Sequence, residues 1–346
     1  WVPDHNHPEG YDGVGPIPMN RSGDGTLRVS SSIAYLLQAQ DRPNLTVRDR
    51  ATVSRVLFSG KRAIGVEVIS ADGSTDSLYG GEVILSAGTI NSPAILLRSG
   101  VGPKDDLQRL GIACVNDLQG VGSNLIDHSL AVVAAYPKPG VVSASDDDVQ
   151  MVIHYTAPGS AFKNDMQIYC LGKLGAERFP GADPTRGLMF GAGIVINRPQ
   201  SRGRVTLDSP DPAVQPRIDH RLNSHAEDMR KMVDGVRRGY SLLTSGQLAE
   251  ISSGVAVLND AMINDTRSLE AYVSERSATI WHAIGTCRMG PAHDNHAVVD
   301  SSLKVYECTG LRVADCSIFP DHVSRNPMLT CYAVAERLVD MIKAGA

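Results

Sequence analysis

The stretch of sequence that decides the fold is residues 83–98, VILSAGTINSPAILLR. It starts with an apolar run that stops at Gly88, the pattern of a strand buried on both faces of a mostly parallel sheet. Asn91, Ser92 and Pro93 then open a helix, because a proline in the first helical turn loses no backbone hydrogen bond. A helix N-terminus behind such a glycine offers backbone N–H groups to an anionic ligand. An α/β fold is therefore predicted, with a tight strand-to-helix turn as the simpler alternative to an anion site.

The residues before this stretch show two other patterns. Residues 51–58 and 63–70 carry β-type runs around a turn at Lys61 and Arg62, which predicts a strand-turn-strand meander. Residues 1–25 are rich in turn-forming residues and lack periodicity, so they predict an extended, loop-like start.

Residues 130–275 have the pattern of an antiparallel sheet. Strand-like segments separated by Pro, Gly and Asp turns lie at 130–136, 149–155, 166–171, 188–196 and 204–207. Apolar residues spaced by three and four over 226–243 predict a long helix on one face of that sheet. A short strand at 311–315 and an amphipathic helix at 329–342 complete the predicted elements.

Length, composition and charge exclude several classes of protein. The chain has 346 residues, enough for about two domains. Its net charge of −5, with no basic cluster, argues against a nucleic-acid partner, and its apolar runs are far shorter than the ~20 residues of a membrane span. The six cysteines form no C-x-x-C pair, so no metal site is predicted. They are expected to be free thiols in a reducing compartment, which favours a cytoplasmic location.

Four segments hold residue types suited to chemistry, and each also has a simpler structural interpretation. The first is the turn at Gly88, and the second is 120–128 (GVGSNLIDH), whose glycines allow close backbone approach. The third places His282 before a glycine turn; histidine titrates near neutrality and can act as a general base, although most isolated histidines are ordinary core or surface residues. The fourth runs from Asp315 to an Asn-Pro pair at 326–327, residue types that often only form turns. Singly, none of them decides the function.

Together and in this order, the segments resemble the glucose–methanol–choline (GMC) family of flavin-dependent oxidoreductases. Residues 88–102 (GTINSPAILLRSGVG) are similar to that family's second signature, and residues 120–128 match as well. Residues 199–209 (PQSRGRVTLDS) and the segments around His282 and Asn326 complete the set. The resemblance extends from about residue 8 to residue 343.

The resemblance implies an α/β fold: part of a Rossmann-like FAD-binding domain, joined to an α+β substrate-binding domain whose antiparallel sheet covers the flavin. It divides the chain into residues 1–129 (partial FAD-binding domain), 130–275 (substrate-binding domain) and 276–346 (return to the FAD-binding domain). The family's glycine-rich G-x-G-x-x-G turn for the ADP half of FAD does not occur. The chain therefore resembles the C-terminal portion of such an enzyme, and a separate N-terminal polypeptide, nicked or split, is expected as its partner.

The resemblance also implies roles for individual residues. His282 corresponds to the catalytic histidine, and Asn326 to the second active-site position, which the family fills with His or Asn. Matches to positions that contact FAD, whether the FAD is covalently attached or not, are Val53, Ala87, Gly88, Trp281, Asp315, Cys316, Pro327 and Met328. Cys316 is a departure, since the family usually has Ala or Gly after the aspartate.

The implied function is FAD-dependent oxidation of a small alcohol to an aldehyde or ketone. His282 would take the hydroxyl proton and Asn326 would donate a hydrogen bond to the developing alkoxide, while the same carbon loses a hydride to flavin N5. Two alternatives stay open: hydroxynitrile-lyase-type cleavage on the same scaffold, and a non-catalytic fragment active only with its N-terminal partner. A primary or aromatic alcohol is the family's default substrate, and the final electron acceptor is open.

Overall fold

The computed structural model of this chain describes residues 1–7 and 12–345. Its strands, labelled β1 to β16 in chain order, are Gly13–Pro16, Ala51–Ser59, Arg62–Ser70, Thr75–Tyr79, Val83–Leu85, Val101–Gly102, Asn116–Asp117, Ser129–Pro137, Val149–Tyr155, Met166–Gly175, Leu188–Ile196, Arg204–Thr206, Arg217–Asp219, Ser252–Val255, Ala278–Thr279 and Leu311–Val313. Its α-helices, labelled α1 to α8, are Leu37–Ala39, Gly88–Arg98, Lys104–Arg109, Ala226–Leu243, Gly246–Ile251, Asp260–Asn264, Thr266–Arg276 and Met328–Lys343. A π-helical segment, Ser32–Leu36, leads into α1. In the described ranges, none of the helices combines the length and the apolar composition needed to cross a bilayer.

The largest sheet has seven strands in the order β1-β9-β10-β11-β8-β14, with β15 also paired to β8. All of its pairings are antiparallel. The antiparallel sheet expected within residues 130–275 is therefore confirmed. Upstream, β2, β3 and β4 form a separate three-stranded antiparallel meander, which confirms the strand-turn-strand prediction there.

Two expectations about the membership of the large sheet are wrong. The strand β12 pairs with β13, and the Val205 N–H donates to the Gly122 carbonyl at 2.7 Å, so its backbone hydrogen bonds are made away from the sheet. The start of the chain is not all loop, because β1 pairs with β9 in the register Gly13↔His154 and lies at the sheet's edge. The part of the expected turn-rich start at residues 8–11 lies outside the described residues.

The helix α4 covers one face of the sheet and has the bounds that the apolar spacing predicts. Met232, Val233 and Val236 are buried against strands of the sheet. The approach is close at Gly235, where an added Cβ would lie 2.4 Å from Ile194 Cγ2. Side chains alternate between the two faces of a strand. The residues next to these buried, α4-facing residues in each strand therefore project from the opposite face of the sheet.

A two-stranded sheet pairs β5 with β16 in parallel, and β5 leads into α2. The strand β5 was expected to be buried on both faces, but only Leu85 is buried, whereas Ile84 is 40% exposed. In the described part of the chain β5 pairs with β16 alone, and nothing described there covers Ile84.

The buried apolar residues separate into one cluster around α2 and others around the large sheet. The first cluster contains residues from before 130 and after 275, with Leu207 as the exception. The others contain only residues between 131 and 273. We propose on this basis that residues 1–129, 130–275 and 276–346 are the domain segments, with β1 and β15 added to the sheet of the middle one.

Candidate active site

Most of the predicted site residues line one cleft of about 770 Å³ between the segment before α1 and the N-terminus of α8. The predicted residues in its lining are Trp281, His282, Cys316, Asn326, Pro327 and Met328. Trp281 and His282 lie in the loop that follows β15, and Cys316 starts the turn that follows β16. Asn326, Pro327 and Met328 lie at the start of α8. The structure thus brings together the two residues predicted as catalytic.

Two other predicted residues lie in a second cleft, of about 480 Å³. Val53 on β2 and Ala87 at the end of β5 both line it. Ala87 is exposed, and its N–H donates to the Ser92 hydroxyl at 3.0 Å. Six of the eight predicted cofactor residues therefore line these clefts, four in the larger and two in the smaller.

The remaining pair, Gly88 and Asp315, contact each other. The Gly88 N–H donates to Asp315 Oδ2 at 2.9 Å, and the Ser92 hydroxyl donates to the same oxygen at 2.5 Å. The other carboxylate oxygen of Asp315 accepts from the Ser317 N–H at 2.8 Å. A carboxylate at a helix N-terminus satisfies unpaired N–H groups and interacts favourably with the helix dipole. At the Gly88 N–H itself, the anionic partner is therefore Asp315 of the same chain, and the simpler reading of a tight capped turn holds there.

His282 is held through its backbone by a buried carboxylate. The His282 N–H donates to Asp127 Oδ1 at 3.1 Å, and the Thr279 hydroxyl donates to Asp127 Oδ2. Burial raises the pKa of Asp127, while the hydrogen bond from Thr279 and the nearby His220 act in the opposite direction. Trp281, just before His282, has a positive φ of 60° and is 88% exposed. The tryptophan is therefore available to a ligand in the cleft and is not a core residue.

The ring of His282 is held by a second histidine. Its Nδ1 lies 2.9 Å from Nδ1 of His128, and Nε2 of His128 lies 3.0 Å from the carbonyl oxygen of Asn197. Burial, with a smaller contribution from His322, lowers the pKa of His282 to about 4. The expectation that this histidine titrates near neutrality is therefore wrong, because the ring is largely removed from water. At neutral pH His282 is uncharged and can accept a proton.

A third histidine stacks on the second. The His322 ring lies 3.6 Å from the His128 ring, centroid to centroid, at 24°. Its Nε2 lies 2.9 Å from the His282 carbonyl oxygen and its Nδ1 lies 2.9 Å from that of Val323. Burial lowers the pKa of His322 to about 4. The neutral ring carries one proton, so only one of these two carbonyl contacts is a hydrogen bond at neutral pH.

Asn326 is oriented by a tyrosine of the large sheet. The Tyr169 hydroxyl donates to Asn326 Oδ1 at 3.1 Å. Tyr169 follows the α4-facing Ile168 on β10 and therefore projects from the opposite face of the sheet. Among the described residues no partner is found for Asn326 Nδ2, which is left as a donor in the cleft.

The sequence alone did not identify Asp127, His128, Tyr169 or His322 as site residues. Asp127 and His128 end the segment 120–128, which was noted only for its glycines and its family match. Their contacts to His282 join residues more than 150 positions apart, so no local pattern could reveal them. The sequence gives only a weak indication that Tyr169 belongs to the site. It is a polar aromatic residue that alternates along its strand with apolar residues facing the helix.

Known proteins match this chain along nearly its whole length. Two family models described as GMC oxidoreductase match residues 2–130 and 199–335. The chain is 35% identical over 354 residues to a 5-(hydroxymethyl)furfural oxidase of Methylovorus sp. (strain MP688), covering 97% of the chain and 64% of the relative. It is 34% identical over 363 residues to an oxygen-dependent choline dehydrogenase of Ectopseudomonas mendocina (strain ymp), covering 96% and 62%. Among solved structures, the pyridoxine 4-oxidase from Mesorbium loti superimposes with a TM-score of 0.85 at 27% identity, covering 94% of this chain and 63% of that one.

The chain thus spans somewhat less than two thirds of the length of these relatives. The model for the N-terminal part of the family already matches residues 2–130. A separate N-terminal polypeptide as partner, which the sequence led us to expect, is therefore not supported.

Proposed function

This chain belongs to the GMC oxidoreductase family, and from that premise we propose that it oxidises the CH–OH group of a small alcohol to an aldehyde or ketone, with FAD as cofactor. One observation carries the proposal. An uncharged histidine, His282, and an amide donor, Asn326, line the same cleft. They are the two groups needed to take a hydroxyl proton and to stabilise the oxygen that loses it.

The distribution of the predicted cofactor residues fits an extended two-ended ligand. Val53 and Ala87 line the smaller cleft, whereas Trp281, Cys316 and Met328 line the larger one. Asp315 is bonded to the N-terminus of α2, next to Ala87, and it immediately precedes Cys316. A dinucleotide with an adenine at one end and a flavin at the other has this form. We propose that these residues hold FAD, together with Gly88 and Pro327, and that the flavin end lies in the larger cleft.

FAD, when bound, supplies the acceptor for the substrate's hydride. The chain's own residues take the hydroxyl proton and stabilise the oxygen that loses it. His282 accepts the hydroxyl proton on Nε2, the ring nitrogen that is not engaged with His128. Asn326 donates from Nδ2 to the oxygen as negative charge develops on it, because its Oδ1 is already occupied by Tyr169.

The charges in the larger cleft bear on the class of alcohol. Its charged lining residues are Arg21 and Arg28, and no carboxylate is found among the described residues that line it. Like charges repel, so this cleft disfavours a quaternary ammonium substrate and suits an uncharged or anionic alcohol. We therefore propose an uncharged primary or aromatic alcohol, which resembles hydroxymethylfurfural in the name of one relative more than choline in the name of another.

The decisive experiment measures the anaerobic reduction of the bound flavin by an alcohol, with stopped-flow absorbance as the readout. In His282→Ala the rate constant should fall by roughly 10²–10⁴, the usual effect of removing a positioned acid–base group. The ratio of FAD to protein should be unchanged, since the ring is proposed to act on the substrate. His293→Ala is the matched control, because that histidine is exposed and lies outside the cleft.

Two outcomes would reject the proposal. Flavin reduction at the wild-type rate in His282→Ala would remove the base assignment. Cleavage of a cyanohydrin without any flavin reduction by alcohols would favour the lyase alternative on the same scaffold.

A cytoplasmic location is part of the proposal. All six cysteines are free thiols, with Cys287 and Cys308 buried, as expected of a protein kept in a reducing compartment. Fractionation of the source cells, followed by detection of the protein with an antibody, tests this location.

A further inference from the structure

Asn197, His128 and His282 form a series of hydrogen-bond contacts that leads into the larger cleft. The carbonyl oxygen of Asn197 lies 3.0 Å from His128 Nε2, and His128 Nδ1 lies 2.9 Å from His282 Nδ1. His128 is fully buried, with none of its surface exposed. Both ring nitrogens of His128 are therefore engaged within the protein, whereas Nε2 of His282 has no partner among the described residues.

The direction of each hydrogen bond follows from the first contact. A carbonyl oxygen can only accept, and His128 Nε2 is the donor that the described residues offer to the buried carbonyl of Asn197. An unpaired buried carbonyl is costly, so we assign the proton of His128 to Nε2. His128 lies in contact with two other imidazole rings, and no carboxylate oxygen of the described residues is hydrogen-bonded to its ring. The neutral ring is therefore the form that this buried site supports. A neutral ring with its proton on Nε2 has a lone pair on Nδ1. The 2.9 Å contact to His282 must then be a hydrogen bond donated by His282 Nδ1.

This assignment leaves His282 with only one basic nitrogen. We propose that His128 is a positioning residue which holds His282 in the tautomer protonated on Nδ1, so that Nε2 presents its lone pair to the cleft. The inference rests on the proposed function, in which His282 is the base. In the opposite tautomer two lone pairs would face each other across 2.9 Å, and the nitrogen in the cleft would be a donor unable to take a proton.

The surroundings of His128 resist rotation of its ring. His322 stacks on it at 3.6 Å, and the His282 ring meets it nearly edge-on, at 84°. The preceding residue, Asp127, binds the His282 backbone N–H. The dipeptide Asp127-His128 therefore holds His282 at two points, one on the main chain and one on the ring.

Two substitutions separate this role from simple packing. The Oδ1 atom of an asparagine sits close to the place of a histidine Nδ1, so His128→Asn keeps an acceptor for the His282 Nδ1–H. His128→Leu fills a similar volume but offers no acceptor. We expect His128→Leu to lower the rate constant for flavin reduction by about 10- to 100-fold, a common effect of losing the group that orients a functional imidazole. His128→Asn should stay within about 3-fold of the wild type, since the directing hydrogen bond is kept.

The tautomer itself is read by ¹⁵N NMR of the FAD-loaded protein labelled in histidine. The His282 resonances are assigned by their loss in His282→Gln. In the wild type and in His128→Asn, Nδ1 of His282 should have the shift of a protonated nitrogen and Nε2 that of an unprotonated one. In His128→Leu the pattern should move toward the Nε2-protonated form that free histidine prefers.

The result that overturns the inference is a wild-type His282 protonated on Nε2, or equal shifts and rates in His128→Leu and His128→Asn. The NMR measurement of the tautomer does not depend on turnover. If His282→Ala leaves flavin reduction intact while the wild-type tautomer is as described, the proposed function fails and the positioning by His128 stands.

Discussion

The Tyr169 hydroxyl donates a hydrogen bond to Asn326 Oδ1 across 3.1 Å and so joins the large sheet to the loop before α8. An amide has one acceptor and one donor end, and occupation of Oδ1 turns Nδ2 toward the remaining space. The contact thus decides which end of Asn326 is available in the cleft. It also makes the orientation of the Asn326 amide depend on a strand of the large sheet.

We expect a graded series of rates from variants of this pair. Asn326→Ala should lower the rate constant for flavin reduction by about 10- to 100-fold, less than the loss of His282, because one hydrogen bond to the reacting oxygen is removed and the base remains. Asn326→His should retain measurable activity, since histidine can donate from the same position. Tyr169→Phe should have a smaller effect, about 3- to 10-fold, because the amide is kept but no longer held in one orientation. Stopped-flow reduction with one alcohol measures all three variants.

Two results from the same series would contradict this prediction. If Asn326→Ala reduces flavin at the wild-type rate, Asn326 only forms the turn before Pro327. If Tyr169→Phe is slower than Asn326→Ala, the tyrosine acts on the substrate directly and not through the amide.

A second prediction concerns the substrate's charge. Arg21 and Arg28 line the larger cleft, and both are exposed. We expect a higher kcat/KM for benzyl alcohol than for choline. Arg28→Gln should raise the ratio of kcat/KM for choline to kcat/KM for benzyl alcohol by about 2- to 5-fold, the effect of about 0.4–1 kcal/mol of screened repulsion. Added salt should reduce the difference between wild type and variant. A wild-type preference for choline that is insensitive to salt would show that these arginines lie away from the bound substrate.

The sequence predicted the features that are determined within one element, and it did not predict those that depend on contacts between residues far apart in sequence. The helix α4 was predicted with its observed bounds because apolar spacing within one element determines its buried face. The exposure of Ile84 was missed because burial depends on what packs against a strand, and the strand's own sequence does not carry that information.

The same distinction applies to the candidate site. His282 and Asn326 were found because each lies in a segment that matches a family motif, and the structure puts both in one cleft. Their partners, His128 and Tyr169, are joined to them by contacts between residues more than 150 positions apart. The lowered pKa of His282 was missed for the same reason, since it follows from burial among distant residues.

A third prediction is that the fold loses stability in mild acid. Burial lowers the pKa of His282 and of His322 to about 4 and that of His154 to about 3, well below the value of about 6.5 that each has when unfolded. Between these values the unfolded chain binds more protons than the folded one. The stability is therefore fully present above about pH 6.5 and is lost as the pH falls toward 4, each histidine adding a slope of up to about 1.4 kcal/mol per pH unit.

Urea unfolding at a series of pH values measures this effect. His154→Gln should flatten the slope between pH 6.5 and 4, because this ring is buried and its Nδ1 has no hydrogen-bond partner in the described structure. His296→Gln is the control, since that histidine is exposed. A slope unchanged in His154→Gln would mean that other groups dominate the acid sensitivity.

The last prediction concerns the buried ion pair beneath the large sheet. Lys231 on α4 lies 2.7 Å from Asp165 Oδ2, and each side chain is at most 1% exposed. Asp165 also accepts from the Ala157 N–H and the Ser160 hydroxyl, so its carboxylate holds the loop between β9 and β10. The Asp165 carbonyl accepts from the N–H of Asn197, the residue whose own carbonyl oxygen lies 3.0 Å from His128 Nε2.

Removing the cation from this pair should therefore affect both stability and the site. Lys231→Met leaves a buried carboxylate without its counter-ion and should lower the free energy of unfolding by about 3–5 kcal/mol, measured in urea. Lys173→Met is the control, because Lys173 and the exposed Asp148 are 3.5 Å apart at the surface, and such pairs contribute at most about 1 kcal/mol. If the loop supports the histidines, Lys231→Met will also slow flavin reduction under conditions where the protein is still folded, whereas Lys173→Met will not. Equal stability losses in the two variants would show that Asp165 is satisfied by Ala157 and Ser160 alone, and that the lysine is dispensable.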